Sequence, residues 1–97
     1  MTVYLLECYM PDSSEAELGD LVERLSEVAH ALSQDGLRVR YLRSTYVPED
    51  ETFFHFVEAS RTAVVERFAR RAELAFDRIL EARNATVSPQ RKGDPDE

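Results

Sequence analysis

Cysteine, glycine, basic charge and long apolar runs are all scarce in this chain, and each shortage closes a class of protein. The single cysteine, Cys8, excludes an internal disulfide and any paired-cysteine metal or redox motif, and it suits a reducing compartment. Three glycines leave no phosphate-cradling loop and no nucleophile elbow. The apolar runs have the length of strands, too short to span a bilayer as a helix. Met1 leads into a strand-like run without a basic segment ahead of it, so no secretory signal is expected and the expected location is cytoplasmic. Twelve Lys and Arg stand against nineteen Asp and Glu, a net charge of −7. That sign argues against a nucleic-acid partner, whose phosphates need basic surface, and against docking on an anionic membrane.

What is present is an ordinary globular mixture, 43% apolar and 32% charged, in 97 residues. That length makes one small domain with a thin core. Val3–Tyr9 is β-prone. Pro11-Asp12-Ser13-Ser14 breaks it, and Ser14 with Glu17 has the spacing of a capping box. Leu18, Leu21, Val22, Leu25, Val28, Ala29 and Leu32 then form a helical apolar stripe, which Asp35-Gly36 ends with a left-handed cap. Leu37–Val47 reads as a strand, Pro48–Glu51 as a solvated turn and Thr52–Ala59 as the next strand. Ser60 fits the N-cap of a second helix reaching about Glu73, with Val65, Phe68, Ala69 and Ala72 inward. A last strand is predicted over Arg78–Ala85. The domain is expected to span residues 1–87, followed by a polar, mobile tail over 88–97.

The order β-α-β-β-α-β predicts an α+β, ferredoxin-like split-βαβ fold: a four-stranded antiparallel sheet in the order 4-1-3-2 with both helices on one face. Strand alternation then sorts the side chains. Leu6, Cys8, Leu42, Phe54, Phe56, Leu80 and Ala82 are assigned beneath the helices. Leu5, Glu7, Tyr9, Tyr41, Arg43, Phe53, His55, Val57, Ile79, Glu81 and Arg83 are assigned to the open face. A sheet face so rich in aromatics calls for cover, and the simplest cover is a second copy packed face to face, giving a homodimeric α+β barrel. On that assignment Glu7, His55 and Glu81 share one partly dry cavity.

The chain resembles a family of small bacterial ferredoxin-like proteins, first defined as a domain of unknown function, that includes a nickel-binding member. The likeness covers roughly residues 3 to 86. Tyr4-Leu5-Leu6-Glu7, the hairpin from Val39-Arg40-Tyr41-Leu42 to Pro48-Glu49-Asp50-Glu51-Thr52, Glu58-Ala59, Arg70-Arg71-Ala72 and Phe76-Asp77-Arg78-Ile79 carry it. Many relatives have Cys where this chain has His55, and some have His where it has Ala69. The resemblance implies a dimer, a ligand-sized cavity and, as a cofactor, a divalent transition metal such as nickel.

The candidate residues leave alternatives open. His55 has the chemistry of a metal ligand or a general acid/base, and equally of a histidine donating to a carboxylate in a dimer seam. Glu7 and Glu81 could form a carboxylate pair with one raised pKa, complete an N/O metal site with His55, or pair with Arg43 and Arg83. Tyr9, Tyr41, Arg43 and Phe53 are the expected substrate-binding walls. His30 reads as a surface histidine and Cys8 as an apolar core residue. Asn84-Ala85-Thr86 matches a glycosylation pattern without a secretory context. Three functions follow: a dimeric protein binding a small ligand or divalent metal, a cofactorless isomerase or cyclase with Glu7, His55 and Glu81 catalytic, or a structural or regulatory dimerisation module.

Overall fold

The computed structural model describes residues 1–83. The predicted tail, the last residues of the fourth strand, the domain end at residue 87 and the Asn84–Thr86 pattern all lie outside the described residues. The elements are β1 (Thr2–Tyr9), α1 (Glu15–Gln34), β2 (Val39–Val47), a short 3-10 turn (Pro48–Asp50), β3 (Thr52–Ala59), α2 (Thr62–Arg71) and β4 (Arg78–Ala82). The sheet runs β2-β3-β1-β4 with every neighbouring pair antiparallel, the ferredoxin-like arrangement the sequence order predicts.

Local chemistry sets the ends of α1. The Ser14 hydroxyl accepts from the Glu17 N–H at 3.1 Å, while the Glu17 carboxylate accepts from the Ser14 N–H at 2.8 Å, completing the capping box. At the other end Gly36 takes φ +92°, a region side chains avoid. Its N–H donates to Ser33 and that of Leu37 to Leu32, a Schellman closure. α2 is shorter than expected: its N-cap is Arg61 rather than Ser60, with no side-chain cap, and it ends at Arg71. The two helices are tied where the Arg24 guanidinium donates to the Ala72 carbonyl at 2.8 Å.

The core lies between the helices and one face of the sheet. Leu21, Leu25, Ala29 and Leu32 of α1 and Val64, Val65, Phe68 and Ala69 of α2 pack on Tyr4, Leu6, Cys8, Val39, Phe53, Val57 and Ala59. This corrects the predicted faces. β1 has the predicted alternation, but in β3 the residues Phe53, His55, Val57 and Ala59 are the buried set, and Phe54 and Phe56 are half-exposed. The pairing makes this parity obligatory: Leu6 lies opposite His55 and Cys8 opposite Phe53, and paired residues share a face. In β4 Ile79 turns inward, while Leu80 and Ala82 pair with Leu5 and Val3 on the open side. β2 changes parity along its length, because an irregularity between Tyr41 and Arg43 sets Leu42 outside the register. Tyr41, Ser44 and Tyr46 therefore share the inner side with Val57, His55 and Phe53, whereas Arg43 and Thr45 join the outer.

Candidate functional site

His55 is fully buried, the one polar side chain in the core among the described residues. Its Nδ1 lies 2.7 Å from Ser44 Oγ, and that oxygen lies 2.5 Å from the Tyr41 hydroxyl. The bulge before Arg43 is what brings Tyr41 and Ser44 to the same side and within reach of each other. Phe53 flanks the imidazole with ring centroids 4.5 Å apart, and Tyr46 meets Phe53 edge-on at 5.4 Å. The other nitrogen, Nε2, has no hydrogen-bond partner among the described residues. An unpaired acceptor is tolerated in a core better than an unpaired N–H, so the favoured tautomer has Nδ1–H donating to Ser44. Burial lowers the His55 pKa from 6.5 to about 4, so the ring is neutral near pH 7.

The remaining candidates fall elsewhere. Glu7 is on the open face, where Arg78 Nε donates to its Oε1 at 2.7 Å. That hydrogen bond, with the attraction between the charges, raises the Arg78 pKa. Glu81 lies opposite Tyr4 on the inner side of the edge strand, exposed, with Arg83 at 3.2 Å. The expected common cavity of Glu7, His55 and Glu81 is therefore absent: one is outside, one is inside, and one is at the rim. Among the described residues no three of His, Cys, Asp and Glu come together to hold a metal ion. As a set, Glu7, His55 and Glu81 do not fit a divalent ion, because the two carboxylates are held by arginines on opposite sides of the sheet. The expected substrate walls divide in the same way. Tyr41 and Phe53 are inside, whereas Tyr9 and Arg43 are outside, Arg43 stacked 4.1 Å above the Phe56 ring. Cys8 is buried as expected, and burial, reinforced by Asp77 and Glu7, pushes its thiol up to about 12. It is inert at neutral pH.

Sequence reasoning missed Ser44. The signal was available: a serine in a strand, opposite a histidine of the next strand. Using it required knowing the bulge. It also missed a pocket of about 170 Å³ between α1 and β2, lined by Ser26, Ala29, His30, Ser33, Val39, Arg40 and Tyr41. Tyr41 belongs both to this pocket and to the chain that ends on His55.

No family model and no curated protein matches the chain. A solved structure does: the crystal structure of SCO4226 from Streptomyces coelicolor A3(2), with a TM-score of 0.68 and 18% identity. The match covers 87% of this chain and 99% of that one. It shows the fold: a ferredoxin-like α+β domain. No helix among the described residues is long and apolar enough to cross a membrane.

Proposed function

We propose that the chain is a small-ligand-binding protein that works as a homodimer, with the open face of the sheet as the seam. One observation supports the homodimer: the open face is apolar in its middle and nearly neutral in charge. Val3, Leu5, Phe54, Phe56, Leu80 and Ala82 lie across three adjoining strands. Its charges are satisfied within the face, Glu7 by Arg78, Glu58 by Arg40 at 3.5 Å, and Arg43 over Phe56. A chain of net charge −7 repels its own copies through most of its surface. Two such faces meet without like-charge repulsion while removing aromatic surface from water.

Among the described residues the metal reading lacks a converging ligand set, and the isomerase reading lacks an acid-base pair. His55 is neutral and sealed, and Glu7 is engaged by Arg78. A structural module remains if no ligand binds. Sedimentation equilibrium over a wide dilution series tests the seam: a species of twice the monomer mass is expected, and a monomer at every concentration overturns it. A thermal-shift panel of divalent cations, nickel included, checks the metal reading. No stabilisation is expected, and a saturable rise in Tm that His55→Leu abolishes would restore it.

A further inference from the structure

The bulge in β2 does more than bring Tyr41 beside Ser44. Arg40 and Arg43 are three residues apart, a spacing that sends side chains to opposite faces of a regular strand. The irregularity at Leu42 turns both to the open face, Arg40 in register with Glu58 and Arg43 with Phe56. That face then carries three guanidiniums, Arg40, Arg43 and Arg78, against two carboxylates, Glu7 and Glu58. Each carboxylate already has its arginine: Glu7 has Arg78 at 2.7 Å and Glu58 has Arg40 at 3.5 Å. Arg43 is the cation left over. It is exposed and forms no ion pair among the described residues. Its guanidinium lies over the Phe56 ring at 4.1 Å, a contact that orients the group and supplies no acceptor for its N–H donors.

A second copy on this face does not correct the imbalance. It brings the same surplus cation and no free carboxylate, so the seam gains one uncompensated guanidinium per chain. An anion from outside the protein removes that cost. Arg43 also ends an apolar row. The register sets Arg43, Phe56, Leu5 and Leu80 side by side across all four strands, with Leu80 exposed at the far edge. Three strand spacings make the row about 14 Å long. A cation at one end of an apolar strip matches a carboxylate head on an alkyl chain, because the arginine fork takes a carboxylate through two N–H bonds.

We infer that the open face binds a medium-chain carboxylate, its head on Arg43 and its chain along Phe56, Leu5 and Leu80, beneath the covering copy. The inference rests on the ligand-binding reading above and gives it a site and a chemical class.

The test is a titration of the full chain with octanoate, its neutral counterpart octanamide, and inorganic phosphate, followed through backbone amide NMR shifts. Saturable octanoate shifts are expected at residues 43, 56, 5 and 80 and their strand neighbours. Octanamide should bind about tenfold more weakly, and phosphate should give no saturable shift. Arg43→Leu, at an exposed edge position, should weaken octanoate about tenfold and leave octanamide unchanged. Arg43→Lys should fall between the two, because it keeps the charge and loses the fork. Octanamide binding as well as octanoate, saturable phosphate binding, shifts mapping to the helices, or an unaffected Arg43→Leu variant would overturn the assignment. Sedimentation of the same samples separates the two readings: a dimer that ignores octanoate defeats the ligand site and leaves the seam standing, whereas a monomer that binds octanoate through Arg43 defeats the seam and keeps the site.

Discussion

The two faces of this sheet are made from the same strands, and on β3 both carry large apolar residues. On β3, Phe53, Val57 and Ala59 lie inside with His55, while Phe54 and Phe56 lie outside with Glu58. The inner face buries a polar ring with one bond unmade, and the outer face leaves two phenylalanines half-exposed. Hydrophobic content therefore does not decide which side of β3 is the core, because both sides carry phenylalanine. The register with β1 decides, because Leu6 and Cys8 fix the side on which their partners lie.

The sharpest separation of the two faces comes from truncating their aromatics. Phe68 is fully buried in α2 against the inner face. Phe68→Ala is expected to destabilise the monomer by about 3–5 kcal/mol, read from urea unfolding. Phe54→Ala on the outer face should leave monomer unfolding within about 1 kcal/mol while weakening self-association. Equal costs at both positions would dissolve the distinction.

His55 gives the next largest effect. Its folded pKa of about 4 lies below the ordinary 6.5, so between those values the unfolded chain binds more protons. The stabilisation is complete above pH 6.5 and is lost as pH falls toward 4, amounting to roughly 3 kcal/mol at order of magnitude. His55→Leu should remove that share of the slope, seen as the difference between the two proteins' denaturant midpoints across the window. Parallel profiles would place the imidazole in water. The smallest expected effect lies far from either face. Ser14→Ala removes one half of the capping box and should cost about 1 kcal/mol in urea unfolding.

Element order, strand pairing and the α1 caps were legible because each rests on local chemistry: the Ser14/Glu17 box, Gly36 in its left-handed turn, and the 3.6-residue stripe of α1. The site was not, for a physical reason. Alternation has a period of two, so one wrong parity moves a whole strand to the other face. Thr52–Ala59 carries apolar residues on both parities, and choosing the side without the histidine put Phe54 and Phe56 in the core. β4 offered little more, since Ile79 and Leu80 are adjacent and only pairing with Leu6 and Leu5 sorts them. The bulge at Leu42, which brings Tyr41 beside Ser44, has no glycine or proline to announce it. Glu7, Tyr9 and Arg43 were placed on the open face correctly, and Cys8 and the inner stripe of α2 in the core.

The most direct test of the two-faced sheet is sedimentation equilibrium of Phe56→Asp beside the wild type, with circular dichroism on the same samples. A folded monomer for the variant and a dimer for the wild type are predicted, because a charge on the outer face opposes the seam and touches no core residue. A variant that unfolds, or one that remains dimeric with unchanged affinity, would contradict it.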